Sequence, residues 1–330
     1  MATPLDVLCV GEALVDFLPE QAGKAVHEVS RWTRCTGGSL ANVAVGLSRL
    51  NARSGLVSVV GEDEFGTFLC QSLAQEGVDI SHVRRTQEGK TGLVFISLSE
   101  TGERTFAFYR TMSAELFLDD RDLDRSLIGS TRVLHCGTNS LLYRDAQNAV
   151  LSMVKQAAGL GKIVSCDPNV RLHLWQEPRE LKALLQEILP YCTVVKLSEE
   201  ELEFVTGQRQ PEEALAALQR MGVLLPIVTL GDKGAVVLYQ ERLVRVSSPK
   251  VSVVDTTGAG DGFMAGFLFG LTRIFADRGE LERAGVGEIR ELAAFGCAVG
   301  ARVVTQLGAV KGLPRLREVE DQLPKLLRTQ

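Results

Sequence analysis

From residue 133 onward the chain alternates short apolar runs with longer amphipathic stretches, strand-like at 133–136, 162–167 and 193–197 and helix-like at 145–159 and 179–189. Parallel strands need long crossovers, usually helical, so this rhythm predicts an α/β chain with a mostly parallel sheet and helices on both faces. The first third carries the same rhythm: a strand at 7–10 closing on Gly11, a helix at 40–50, a strand at 55–60 and a helix at 65–76. That last helix stops at Gly77, where a glycine cap belongs. Further helical stretches are expected at 199–206 and 211–221, a strand at 226–230, a hairpin through 234–246, and large helices at 260–275 and 287–305.

Two segments break the rhythm. Residues 15–36 contain the breakers Pro19 and Gly23 and read as short strands and turns. The runs 91–97 and 104–110, joined by the turn-rich residues 100–103, read as a hairpin. Two β insertions on one α/β body are expected to pair into a small lid. The expected division is therefore an α/β body of residues 1–14, 38–90 and 111–330 and a β lid of residues 15–37 and 91–110.

A net charge of -5 and a pI near 5.6 argue against nucleic acid or an anionic membrane as the main partner, and fit a small-molecule substrate better. The seven cysteines are scattered without a Cys-x-x-Cys pair, the pattern of reduced thiols. The start of the chain lacks a basic segment followed by an apolar one, and no apolar run is long enough to span a bilayer. A cytoplasmic protein is expected. His27, His82, His135 and His173 show no metal-ligand spacing.

The sharpest local signal is Asp255-Thr256-Thr257-Gly258-Ala259-Gly260-Asp261-Gly262, between the strand-like residues 251–254 and a long apolar helix. Small residues there let backbone N–H groups approach an anion, and the helix dipole adds positive potential. Glycine-rich turns also begin ordinary helices, so the flanking residues decide. Phe263 stands where a dinucleotide fingerprint needs its third glycine, and no Gly-Lys-Ser/Thr ending makes a P-loop. A carboxylate beside an anion-binding helix start has a reason to be there if it accepts a proton from an acceptor hydroxyl, which makes Asp261 the candidate base. The dipole and backbone amides are expected to lower its pKa.

This octapeptide, continuing into Phe263-Met264-Ala265-Gly266, strongly resembles the C-terminal signature of the ribokinase family. The resemblance implies an ATP-dependent carbohydrate kinase with Asp261 as general base and Gly258, Ala259, Gly260 and Asp261 as the anion hole. The second signature of that family is matched far upstream by Gly37-Gly38-Ser39-Leu40-Ala41-Asn42, where Ser39 is a cap candidate. In the family Gly37, Gly38 and Asn42 bind sugar hydroxyls, as does an aspartate matched by Asp16. The implied fold is a ribokinase-like three-layer α/β/α sandwich with a mostly parallel central sheet and a small β-sheet lid.

Other positions follow the same template. Thr229, Gly231 and Gly234 match the family's nucleotide contacts, together with Gly258 and Gly260. Lys196, counted with them as an ATP contact, stands where the family carries asparagine, and Glu199 matches the glutamate that holds Mg²⁺ through water. Mg²⁺ itself would be bound chiefly by phosphates and water. The resemblance also implies a K⁺ site around Asp255 and Thr257, and allows a homodimer through the lid.

For the sugar, Phe106, Phe108 and Arg110 alternate onto one face of a strand. With Arg171 they look most like the fructokinase branch and its neighbour, the 2-keto-3-deoxygluconate kinases. Paired arginines suit a carboxylate, but Phe95 and Phe108 lack the hydroxyls that sugar-acid kinases carry there. Both are expected as substrate contacts, and fructose is the expected substrate. A catalytically silent sugar-binding protein and a dinucleotide oxidoreductase are the readings from other classes.

Overall fold

The computed structural model describes residues 4–21, 23–98 and 104–328, so the turn expected at 100–103 lies outside the described residues. The strands are β1 (Val7–Val10), β2 (Leu14–Pro19), β3 (Trp32–Gly37), β4 (Ser54–Gly61), β5 (Val83–Thr86), β6 (Leu93–Leu98), β7 (Arg104–Tyr109), β8 (Val133–Cys136), β9 (Ile163–Cys166), β10 (Val194–Ser198), β11 (Leu225–Thr229), β12 (Ala235–Tyr239) and β13 (Arg242–Val246). Nine of them form one sheet in the order β13-β12-β11-β10-β9-β8-β1-β4-β5. It is parallel except for the β11-β12-β13 hairpins.

The sheet is buried on both sides because its strands are apolar on both. Along β1, Val7 and Cys9 face one core, which holds the helices Ser39–Arg49, Ala259–Ile274 and Val286–Val303. Leu8 and Val10 face the other, which holds Arg144–Gly159, Pro178–Ile188 and Pro211–Arg220. The result is a three-layer α/β/α sandwich. No helix among the described residues is long and apolar enough to cross a membrane.

The two insertions meet in a second sheet of order β3-β2-β6-β7, with β2 and β6 parallel and the outer pairs antiparallel. One strand is not anticipated by the sequence pattern and one local expectation fails. The edge strand β5, Val-Arg-Arg-Thr, is too charged to read as a strand, a common way of protecting an edge. Residues 251–254, read as a strand from their valines, form a loop: Val251, Val253 and Val254 are exposed, and the Val254 and Asp255 N–H groups bond to the Val304 carbonyl. β propensity without a neighbouring edge to pair with does not make a strand.

Candidate active site

The order of the main sheet reverses at β1, whose neighbours are β4 on one side and β8 on the other. Chain leaving the carboxyl ends of strands at such a reversal diverges and opens a crevice, the usual ligand site of an open α/β sheet. An open cleft of about 910 Å³ lies there. Glu12 just beyond β1, Asn139 beyond β8, Asp167 beyond β9 and Lys196 on β10 line its floor, and Asp16, Phe106 and Phe108 of the smaller sheet line its roof.

Two helix starts meet at the centre. The helices Ser39–Arg49 and Ala259–Ile274 lie so close that a Cβ on Gly46 would stand 2.6 Å from Ala265 Cβ. That approach brings together the two signatures recognised in the sequence. Ser39 Oγ donates to Asp261 Oδ1 at 2.7 Å and Asn42 Nδ2 donates to Asp261 Oδ2 at 2.8 Å. Gly258, with φ +78°, turns the chain into the Asp261 helix, and Gly258, Ala259 and Gly260 border the cleft.

The direction of the Asp261 pKa reverses the expectation. Burial pushes its carboxyl above the usual aspartate value and outweighs the hydrogen bonds from Asn42 and Ser39, which act the other way. The carboxylate is inside the molecule, where lost hydration exceeds what a helix start restores. Asn42 also lines the cleft: one N–H of its amide is given to Asp261, while its Oδ1 is buried without a hydrogen-bond partner.

One end of the cleft is acidic. Glu12 is buried, with Oε1 accepting the Ser39 backbone N–H at 2.9 Å and Oε2 unpartnered. Desolvation and the nearby Asp261 charge push the Asp16 carboxyl up to about 7. Gly37 does not line the cleft; a Cβ there would stand 2.2 Å from Asp16 Cγ, so the glycine leaves room for the carboxylate. Arg110 does line it but is not a free cation: Nε donates to Glu115 Oε1 at 2.8 Å and a terminal N–H to the Asn139 carbonyl at 2.9 Å. Phe95 is misplaced by the sequence reading. Strand alternation puts it on the face opposite Val94 and Ile96, stacked on Phe17 with ring centres 4.6 Å apart, whereas Phe108 faces the cleft.

At the other end, Thr229 and Gly231 border the cleft. Gly234 does not; its carbonyl accepts the Leu230 N–H, and a Cβ would strike the Val246 carbonyl, so it shapes the hairpin. Lys196 Nζ donates to Asp167 Oδ2 at 2.7 Å, and both residues are buried. Glu199 and Arg171 are exposed at the rim. Asp255 is buried and accepts N–H groups from Thr257 and Gly308, each at 2.7 Å, while Thr257 Oγ1 is buried without a partner. Among the described residues no cluster of three metal-ligating side chains is assembled.

The sequence reading missed Glu12, Asn139 and Asp167 as site residues, and took Ser39 only for a cap. Three of these four sit just past the carboxyl end of a parallel strand, the one signal that could have selected them.

The profile of the pfkB family of carbohydrate kinases matches residues 4–316. Probable fructokinase-7 of Arabidopsis thaliana is 36% identical over 323 residues, covering 96% of this chain and 92% of that protein. Among solved structures, fructokinase with bound ATP from Xylella fastidiosa superposes with a TM-score of 0.88 at 31% identity, covering 98% of this chain and 99% of that one. A double mutant of fructokinase from Vibrio cholerae O395, bound to fructose, ADP and a potassium ion, gives 0.85 at 34% identity, with 98% and 100% covered.

Proposed function

The chain belongs to the pfkB family of carbohydrate kinases, and from that premise we propose that it transfers the γ-phosphoryl group of ATP to the 6-hydroxyl of D-fructose. The observation that carries the reaction type is the meeting of Asp261 with the Gly258–Ala259–Gly260 turn at one point of the cleft floor. Asp261 accepts the acceptor proton, and its raised pKa makes it a better base than an exposed aspartate. Ser39 and Asn42 fix the orientation of its carboxylate. The backbone N–H groups of the turn oppose the negative charge on the transferring group.

The charge at the sugar end favours a neutral substrate. Glu12, Asp16 and Asp261 gather there, and the guanidinium of Arg110 is already held by Glu115. A sugar-acid carboxylate would meet three acidic groups, with the exposed Arg171 at the rim as a solvent-screened counter-charge, whereas sugar hydroxyls can donate to Glu12 and Asp16.

The residues present suit Mg²⁺ held chiefly by nucleotide phosphates, with Glu199 at the rim to hold its waters; when bound, the ion would offset phosphate charge. The loop of Asp255 and Thr257, with its unpartnered hydroxyl, is the proposed K⁺ site, in keeping with the potassium in the Vibrio protein. The sheet of β2, β3, β6 and β7 is the proposed lid. A coupled assay of ADP release across fructose, 2-keto-3-deoxygluconate, ribose and tagatose tests the reading. Fructose should give the highest kcat/KM; a sugar acid outcompeting it would overturn the substrate assignment.

A further inference from the structure

We propose that Lys196 is the cation that holds the γ-phosphoryl group during transfer, and that Asp167 positions it. The inference rests on the kinase reading and narrows the ATP contact expected of Lys196 to one phosphoryl group and one step.

Two bearings locate the ammonium. Its Nζ lies 2.9 Å from the point a Cβ on Gly260 would occupy, so it stands beside the anion loop, and only a glycine leaves it that space. Asp261 lies close enough to act on Lys196 electrostatically, and Lys196 on Asp261. A phosphoryl group passing from a nucleotide on the loop to a hydroxyl on Asp261 must cross the region that these two residues bound. Lys196 borders that region and lines the same cleft.

Nothing else on the cleft wall supplies this charge. Among the described residues lining it, the other lysine or arginine cations are Arg110, held by Glu115 at the sugar end, and Arg171, exposed at the rim. Lys196 carries three N–H donors, of which Asp167 takes one, and no other hydrogen bond of the ammonium is formed among the described residues. Asp167 Oδ1 in turn accepts the Asn169 N–H at 3.3 Å, which fixes the carboxylate against the β9 loop. Burial would favour loss of the lysine proton, and the adjoining carboxylates reverse that, so the ammonium stays charged.

In the transfer, the acceptor oxygen forms its bond to the γ-phosphorus while the bond from that phosphorus to the β–γ bridging oxygen breaks. The electron pair of the broken bond leaves on ADP, and the hydroxyl proton goes to Asp261. Lys196 keeps its protons throughout and donates two of them to the non-bridging γ-oxygens, where a charge-assisted contact is strongest.

The test compares nucleotides that differ only in that group. Calorimetric titration of the full chain with ADP and with β,γ-imido ATP, both with Mg²⁺, is run on the unchanged protein, on K196M and on the charge-balanced K196M/D167N. The double variant leaves no buried carboxylate unpaired, so it keeps the question open to measurement if K196M alone unfolds. Expected is a loss of about 10-fold or more in imido-ATP affinity with ADP affinity changed by less than about 2-fold, and a fall in kcat of roughly 100-fold. Equal loss for both nucleotides, or a folded double variant with unchanged imido-ATP binding, would overturn the proposal. Failure of the fructose reading shows elsewhere, as absence of fructose turnover by the unchanged chain.

Discussion

Ser39 Oγ and Asp261 Oδ1 lie 2.7 Å apart, although 222 residues separate them in the chain. The bond joins two helix starts that carry no other obvious link in sequence, and its donor is itself tied down, since the Ser39 backbone N–H is held by Glu12. A carboxylate anchored this way can be perturbed without touching it.

Removal of the base sets the scale. D261N should leave nucleotide binding nearly intact and lower kcat by roughly 100- to 10,000-fold. Steady-state kinetics with ATP and fructose measure it, and near-normal turnover would remove Asp261 from the chemistry.

Loss of an anchor should change pH dependence more than binding. The Ser39 and Asn42 hydrogen bonds stabilise the ionised carboxylate and so oppose the upward push of burial. S39A and N42A should therefore each raise the Asp261 pKa, moving the acidic limb of the kcat/KM profile to higher pH, with kcat at neutral pH down about 10-fold. Profiles that superpose on the unchanged protein would show that the bonds are merely structural.

Asp16 is expected to trade stability for function. Its folded pKa, pushed up to about 7, lies well above the ordinary aspartate range, so the folded chain binds this proton more tightly than the unfolded one. Its contribution to stability is present below the unfolded value and is lost as pH rises through 7, at which point the cost is of the order of a few kcal/mol. D16N should thus raise Tm at pH 8 more than at pH 5, while raising the fructose KM at both. Equal Tm changes at the two pH values would contradict the assignment.

Arg110 and Glu115 form a buried pair, so removing one partner is expected to cost stability before it alters specificity. R110A should destabilise by about 3–5 kcal/mol, and R110M/E115Q should recover much of that loss. Denaturant titrations distinguish this from the sugar-contact role, for which the fructose KM would rise with Tm unchanged.

G37A tests the space reserved for Asp16. A Cβ 2.2 Å from Asp16 Cγ must displace the carboxylate. The fructose KM should rise by about 10-fold with the ATP KM little changed. An unaltered fructose KM would mean that Asp16 does not touch the sugar.

Much of this was written in local patterns. Apolar runs of strand length, amphipathic runs of helix length and glycine stops are short-range properties, and they yielded the parallel sheet, its helices and the two β insertions. The glycine turn before Asp261 was also legible, because a helix start of small residues is a local pattern that needs no distant partner. What the sequence could not hold is the direction of side chains across long separations. Phe95 and Phe108 look equivalent as strand aromatics, but the register of β6 against β2 and β7 sends one to Phe17 and the other to the cleft. Arg110 looks like a sugar clamp until the fold seats Glu115 against it. The Asp261 pKa turned on burial, which no motif records: desolvation is a property of the whole packed molecule, and it prevailed over the local dipole from which the sequence argued.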